Sequence, residues 1–190
     1  MSSDDPRPSD GAFELDFDEL ESRLARLHED SFGWALSCCD WDHAEAEDVL
    51  QTTYLKIVSG RARFGGRSAF RTWLFGVIRL TALEHRRRAR SRREAARRMA
   101  GEVAATLPAA APVEAAVEHA ELVGTLEEAL ALLPERQREV LHLVFYQDLT
   151  VRESAAVMGV SVGSARVHYD RAKRRLRALL AERETGGGDA

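Results

Sequence analysis

The segment at residues 67–93 places the strongest constraint on the fold. It reads RSAFRTWLFGVIRLTALEHRRRARSRR and runs from aromatic and apolar residues straight into a block of arginines. Its apolar residues recur every three or four positions, the spacing of one buried helix face, at Phe70, Trp73, Leu74, Val77, Ile78 and Thr81. The arginines continue this helix past the point where it has a core, so they form a solvated extension or a binding surface.

Charge is segregated along the chain, although the net charge is only −4. Residues 1–60 hold 15 acidic and 4 basic residues, whereas residues 61–98 hold 13 arginines and two glutamates. Residues 99–190 hold 14 acidic and 10 basic residues. This pattern indicates one stretch that binds a polyanion and a differently charged surface for another partner.

Size and composition describe an ordinary globular chain. With 190 residues, of which 45% are hydrophobic, it can bury a core in one or two small domains, and wholesale disorder is not expected. No apolar run approaches the roughly 20 residues that cross a bilayer, so no membrane insertion is expected. The start, MSSDDPRPSDG, is acidic and polar, the reverse of a signal peptide, which favours a cytoplasmic protein.

The adjacent Cys38 and Cys39 are the only cysteines. His43 and His28 lie close enough in sequence to leave a metal or redox role open, but no second cysteine pair completes a zinc site. Two small buried apolar side chains in a reducing compartment are the favoured interpretation. We predict no metal site, no cofactor and no catalytic residues, because neither a nucleophile–base set nor a phosphate-binding glycine loop is present.

The spacing of apolar residues predicts an all-α fold of two small helical domains joined by a flexible linker. A disordered acidic tail is expected at 1–16, and the N-terminal domain at 17–97. Its helices are expected from Phe17, from near Ala44 to a stop at Gly60, and from about Ala69 into the arginines. The loop between the last two (RFGGRS, 63–68) offers Ser68 as a helix N-cap.

The second half begins with an alanine-rich linker at 98–120, which contains Pro108 and Pro112. The C-terminal domain is expected at 121–183 and a disordered tail at 184–190. One helix should end at Pro134, and a second should follow directly.

The segment LTVRESAAVMGVSVGSARVHYDRAKRRLRALL is typical of a helix-turn-helix. Thr150 with Glu153 forms a capping box, Gly159 makes the turn, and Ser161 caps the second helix. One face of that helix is expected to pack inward, through Val162, Ala165, Tyr169, Ala172, Leu176 and Leu179. The alternative is an ordinary helical hairpin with a solvated basic face.

Both halves together resemble the extracytoplasmic-function (ECF) family of bacterial RNA polymerase sigma factors, in the sigma-70 superfamily. Residues 46–57 (AEDVLQTTYLKI) are similar to the region 2 helix that grips the polymerase clamp. Residues 63–93 are similar to the segment that melts the promoter and reads its minus-ten element, and residues 133–180 to region 4, which reads the minus-thirty-five element. A generic helix-turn-helix would not predict FRTWL upstream.

The resemblance implies a sigma factor that binds core RNA polymerase and promoter DNA, recognises both elements, assists strand opening and performs no covalent chemistry. It leaves open whether a dedicated anti-sigma factor exists. It assigns polymerase binding to Asp48, Gln51, Tyr54 and Leu55. It assigns minus-ten binding and melting to Phe64, Gly66, Ser68, Arg71, Trp73, Arg79, Arg86, Arg87, Arg88 and Arg90. It assigns minus-thirty-five binding to Ser161, Ser164, Arg166, Val167, Arg171 and Arg174.

This resemblance accounts for the junction in residues 67–93. Aromatic and small residues of the loop can hold an extruded base, and stacking contributes roughly 1–3 kcal/mol per base. The arginines hold the phosphates of the adjoining duplex. Leu80 departs from the family, because many members carry an asparagine there whose amide helps to read a minus-ten base. Leu80 offers contact without a hydrogen bond, so an unusual or weaker minus-ten preference is expected.

Two other classes of function compete with this one. A conventional helix-turn-helix regulator would dimerise on a palindromic site and bind duplex DNA without polymerase. A nucleic-acid enzyme would use the early acidic residues as metal ligands, but these lack convergent spacing.

Overall fold

The computed structural model describes residues 16–100 and 129–186, and these residues form helices with short connections. The all-α prediction is confirmed for this part of the chain. The predicted N-terminal tail up to residue 15, the predicted linker beyond residue 100 and the last four residues lie outside the described residues.

The N-terminal module contains four helices: α1 (Phe17–Arg26), α2 (His28–Cys38), α3 (His43–Val58) and α4 (Phe70–Ala100). The single helix expected from Phe17 is wrong, because the chain turns at Leu27. There the amide of Leu27 is bonded to the carbonyls of Arg23 and Leu24. The turn lets α1 place Leu24 on the core while α2 buries Trp34 completely.

The ends of α3 and the start of α4 show which of the predicted helix caps and stops are present in the structure. Asp42 caps α3, its Oδ1 accepting a hydrogen bond from the Glu45 amide at 3.0 Å. Gly60, at φ +71°, follows the end of α3 in the left-handed conformation that suits a helix stop. The predicted cap at Ser68 is wrong. Because α4 begins at Phe70, the cap position is Ala69, whose carbonyl accepts the first helical hydrogen bond, from the Trp73 amide. The Ser68 hydroxyl donates to the Ala69 carbonyl instead.

The C-terminal module begins, in the described part, with helical residues 129–131, which end before Pro134 as expected. Three helices follow: α5 (Glu135–Phe145), α6 (Val151–Met158) and α7 (Val162–Gly186). The capping box at Thr150 is confirmed, and Gly159 turns the chain at φ +66°. The Ser161 hydroxyl accepts from the Ser164 amide at 3.1 Å, which confirms it as the cap of α7. Helix α7 continues three residues into the range predicted as a tail.

The inward face of α7 is also as expected, with Ala165, Ala172 and Leu179 buried. Tyr169 and Leu176 pack partly buried against the same core. Val162 is the exception, since it is 38% exposed at the start of the helix.

The two modules pack against each other, which the sequence did not predict. Helix α4 lies against α2 and α3 on one side and against α6 on another. Phe75 is off the predicted apolar stripe, yet it is completely buried, and its carbonyl accepts a hydrogen bond from the Trp34 indole at 3.0 Å. One hydrophobic core therefore contains residues of both modules, among them Trp34, Leu74, Leu143 and Met158. Among the described helices, none is both long and apolar enough to cross a membrane.

We predict that Thr150→Ala lowers the free energy of unfolding by about 1 kcal/mol, because it removes the acceptor for the Glu153 amide. Thr150→Ser keeps the hydroxyl and should keep most of that stability. Urea titrations of the two variants and the parent protein measure the difference. Equal losses in the two variants would show that the methyl group, and not the cap, matters.

Candidate nucleic-acid interface

Helix α4 presents three faces to three different surroundings. Leu74, Ile78 and Ala82 are buried toward α2 and α3. A second face, which carries Arg79 and Arg86, turns toward the C-terminal module. A third face is open to solvent, and runs from half-buried Trp73 and Val77 through exposed Leu80 to Arg87. These positions recur every three to four residues, so one regular helix accommodates all three sets.

An aromatic cluster lies at the start of the open face. The Phe64 ring packs 5.3 Å from the Phe70 ring and 5.4 Å from the Trp73 ring, centroid to centroid. Gly66 adopts φ +67° in the same loop, and both Gly66 and Ser68 are exposed. The structure thus brings together the predicted aromatic and small residues and holds Phe64 against two other rings.

Three of the predicted DNA-binding arginines are exposed to solvent farther along the helix: Arg87, Arg88 and Arg90. Arg88 has only a distant ion pair, 3.8 Å from Glu84 Oε2. That carboxylate is already bonded to the Lys56 ammonium at 2.9 Å. These guanidinium groups are therefore available to an external polyanion.

The other three arginines turn toward the C-terminal module. Arg71 donates to Asp30 at 2.9 Å and to Gln147 of the C-terminal module at 3.0 Å. The Nη2 of Arg86 donates to the Glu135 carboxylate at 2.6 Å. Burial alone would raise the pKa of Glu135, but its hydrogen bond and ion pair with Arg86 outweigh burial and lower the pKa. Glu135 is therefore negatively charged at neutral pH.

Arg79 forms a buried ion pair that joins the modules. Its Nε donates to Glu139 Oε1 at 2.8 Å, and the two residues are only 4% and 6% exposed. A second guanidinium, that of Arg136, donates to the other Glu139 oxygen at 3.1 Å. Sequence reasoning assigned Arg79 to DNA and missed its partner. The sequence contains only one indication of this contact. Glu135 and Glu139 are spaced one helical turn apart, and Arg79 and Arg86 are spaced two turns apart.

A histidine lies in the same contact between the modules. The His142 ring packs against Trp34, Trp41 and Tyr146, with centroid distances of 5.4, 6.5 and 5.2 Å. The Gln147 amide donates to its Nε2 at 3.3 Å. Burial lowers the pKa of His142 to about 4, so the ring is neutral at physiological pH.

The outward side of the helix-turn-helix is open to solvent. All six residues predicted to bind the minus-thirty-five element are exposed: Ser161, Ser164, Arg166, Val167, Arg171 and Arg174. Arg171 and Arg174, with Arg175, also line an open groove against Pro134 and Gln137. This side of α7 can enter a major groove, with arginines beside it to hold phosphates.

The predicted polymerase surface lies on α3. Asp48, Gln51 and Leu55 are exposed, and Leu55 is unusually so for a leucine, at 69%. Tyr54 is half-buried, and its hydroxyl lies 3.2 Å from His28 Nδ1. A groove between α2 and α3 runs beside this surface, lined by His28, Phe32, Glu47, Leu50, Gln51 and Tyr54.

Cys38 and Cys39 are buried, as the favoured interpretation expected. Burial raises the pKa of both thiols, that of Cys39 to about 12, so neither is a reactive thiolate at neutral pH. Within the described residues, no three histidine, cysteine or acidic side chains are grouped so that they could hold a metal ion.

These features define a two-module helical protein that binds DNA, with a basic helix in one module and a helix-turn-helix in the other. Comparison with known families matches residues 26–92 to Sigma-70 region 2 and residues 124–176 to Sigma-70, region 4. The chain is 32% identical, over 75% of its length, to the ECF RNA polymerase sigma factor SigC of Mycobacterium tuberculosis, and covers 72% of that protein. It is also 32% identical to the RNA polymerase sigma-H factor of Pseudomonas aeruginosa, over 74% of this chain and 78% of the other.

Solved structures agree with this fold. The sigma factor RpoE of Bartonella quintana, in complex with the anti-sigma factor NepR, superposes with a TM-score of 0.64 at 23% identity. The match covers 85% of this chain and 96% of that one. CnrH, in complex with the cytosolic domain of CnrY, gives a TM-score of 0.58 at 23% identity, over 88% of this chain and 90% of the other.

The chain belongs to the ECF family of sigma-70 RNA polymerase sigma factors. It is therefore a promoter-specificity subunit, which binds core RNA polymerase and directs initiation at promoters through regions 2 and 4. The resemblance drawn from the sequence is confirmed, and the conventional regulator is not favoured.

We predict that acid destabilises the folded protein partly through His142. Its pKa is about 4 in the folded state and 6.5 when exposed, so below pH 6.5 the unfolded chain binds a proton that the folded chain does not. The free energy of unfolding should fall by up to about 1.4 kcal/mol per pH unit as the pH drops from about 6 to about 4. His142→Phe keeps the ring packing and should remove this part of the pH dependence. Parallel curves of urea stability against pH for the two proteins would contradict the assignment.

Proposed function

We propose that α4 holds the promoter at the junction between its single-stranded and double-stranded parts. The observation that carries this proposal is the open face of α4, which has an aromatic cluster of loop and helix residues at its start and exposed arginines farther along the same helix. The loop at 63–68 takes an extruded minus-ten base beside Phe64, Gly66 and Ser68. The arginines take phosphates of the duplex upstream, and outward residues of α7 read the minus-thirty-five element. Run-off transcription with purified core polymerase and a promoter library tests the whole assignment.

Leu80 lies in the middle of this open face and is 58% exposed. It can contact a base only through its apolar surface, since its side chain has no hydrogen-bonding group. We therefore infer that the minus-ten preference of this protein differs from that of family members with asparagine at this position.

We propose that Arg87, Arg88 and Arg90 provide sequence-independent affinity. Changing all three to alanine should reduce promoter-complex stability on every promoter tested. Each lost phosphate contact should flatten the slope of log affinity against log salt by about 0.9, so about 2–3 in total. Filter binding of the polymerase complex over a range of salt concentrations measures this slope.

The matched control changes the same three residues to lysine. Lysine keeps the charge, so the salt slope should remain close to that of the parent. If the alanine variant lost affinity for some promoters only, with an unchanged slope, these arginines would be reading bases.

We propose that Asp48, Gln51, Tyr54 and Leu55 bind the polymerase clamp. Three of these side chains are exposed on α3 beside the groove between α2 and α3, which suits a helical partner. Asp48→Arg combined with Gln51→Ala should weaken binding to core polymerase by about tenfold or more. The helical circular dichroism signal should not change, since neither side chain is buried.

A competition assay against a labelled sigma factor measures this affinity. Glu21→Arg is the control, because it introduces a similar charge on an exposed position of α1. Equal affinity of the two variants would remove α3 from the polymerase interface.

Further properties follow from this proposal. The protein acts with polymerase on the nucleoid in the cytoplasm, and as a non-catalytic subunit it contributes binding and strand opening without covalent chemistry. The structural relative RpoE, which was crystallised in complex with the anti-sigma factor NepR, supports an anti-sigma partner for this chain as well. Pull-down from cell extract with the tagged protein as bait, in competition with core polymerase, tests for such a partner.

A further inference from the structure

An arginine of α1 lies on the aromatic cluster at the start of α4. The Cζ atom of Arg23 is 5.5 Å from the centroid of the Phe70 ring, within the range of a cation–π contact. The Phe70 ring in turn packs 5.3 Å from the Phe64 ring and 5.3 Å from the Trp73 ring. Helix α1 therefore adds a cation to the rings that the loop at 63–68 and α4 supply.

Two contacts fix the position of this guanidinium. The Nε and Nη2 atoms of Arg23 both donate to Oε1 of Glu19, which lies one helical turn earlier on α1. The Phe70 ring beneath it is only 8% exposed, and so it is held by the core of the N-terminal module. A planar guanidinium oriented in this way loses little further freedom when it binds an anion.

Arg23 is also accessible to an acceptor from outside the protein. Its side chain is 29% exposed, and that of Glu19 is 51% exposed. A guanidinium has five N–H donors, so the two bonds to Glu19 leave others for a second acceptor. An ion pair as exposed as this one is weak, and a phosphate can therefore share Arg23 with Glu19 or replace it.

The place of Arg23 in α1 does not by itself account for the contact with Phe70. Both arginines of α1, Arg23 and Arg26, lie in its last turn, where a cation complements the helix dipole. Arg26 serves that purpose from an exposed position. Arg23 differs from it because its guanidinium lies over the ring of Phe70.

From these contacts we propose that Arg23 is a further DNA-binding residue, whose guanidinium holds a phosphate of the separated strand beside the extruded base. The proposal rests on the assignment of the aromatic cluster to that base. A base that stacks at Phe64 brings its own phosphodiester to the rim of the cluster, where Arg23 supplies a cation. This contact forms only after the strands separate, whereas Arg87, Arg88 and Arg90 hold phosphates of the duplex.

The test measures how the complex with core polymerase binds two fluorescent DNA probes over a range of salt concentrations. One probe is a promoter selected by run-off transcription, with a pre-melted bubble across its minus-ten element. The other is a fully paired duplex of the same length and arbitrary sequence. Arg23→Met keeps an unbranched apolar stem over Phe70 and removes the charge.

Arg23→Met should weaken binding to the bubble probe by about tenfold, since one charge-assisted contact is lost. The slope of log affinity against log salt should flatten by about 0.7, the value for one phosphate of a single strand. Affinity for the arbitrary duplex should stay within about twofold of the parent, because that probe offers no separated strand.

Two further variants serve as controls. Arg26→Met removes the same charge from the same turn of α1 and should leave binding to the bubble probe close to that of the parent. Arg23→Lys keeps the charge and should preserve the salt slope. If Arg23→Met and Arg26→Met lost equal affinity for the bubble probe, the general charge of α1 would be responsible, and the proposal would be overturned.

A purely structural role for Arg23 gives a different result. Arg23→Ala removes both the stem and the charge, and urea titration measures its effect on folding. If Arg23→Met bound the bubble probe like the parent, and only Arg23→Ala lost affinity together with stability, Arg23 would support packing alone. That outcome also contradicts the proposal.

Phe64→Ala separates this inference from the proposed function. If Phe64→Ala weakens binding to the bubble probe but Arg23→Met does not, the base assignment stands and only the inference about Arg23 is wrong. If both variants bind that probe like the parent, the assignment of the aromatic cluster to the extruded base is wrong as well.

Discussion

The structure depends on one long helix, α4, whose three faces contact the N-terminal core, the C-terminal module and solvent. Its inner face supplies the core of the N-terminal module, its second face receives the C-terminal module, and its third face remains open. A regular α-helix turns about 100° per residue, so positions such as 78, 79 and 80 necessarily point in different directions. Ile78 is buried in the core, Arg79 is paired with Glu139, and Leu80 is exposed. Neighbours in sequence therefore have unrelated roles.

Local signals in the sequence predicted most of the elements. Thr150, Gly159 and Ser161 define the helix-turn-helix because a cap and a left-handed turn require particular side chains at fixed positions. The break at Leu27 carries no such signal, since its neighbours all suit a helix. It is set by packing, which lets Trp34 enter the core. The exposed site residues of α3 and α7 were predictable in the same way, from the side of the helix on which they lie.

The contact between the modules could not be predicted, because it depends on tertiary complementarity and leaves no periodic trace. Arginines at 79 and 86 looked like the start of one basic block, with no feature to set them apart from those at 87, 88 and 90. Only the position of α5 divides the block into internally paired and open members. A burial pattern derived from one module alone likewise missed Phe75, which is completely buried in the core that both modules share.

The ion pair in this contact affects the geometry of the contact more than its strength. A buried ion pair contributes little net stability, because the cost of removing both charges from water offsets their attraction, but it penalises any arrangement that leaves one charge alone. The Arg79–Glu139 pair therefore specifies how the modules meet, and the apolar core that the two modules share supplies most of the attraction between them.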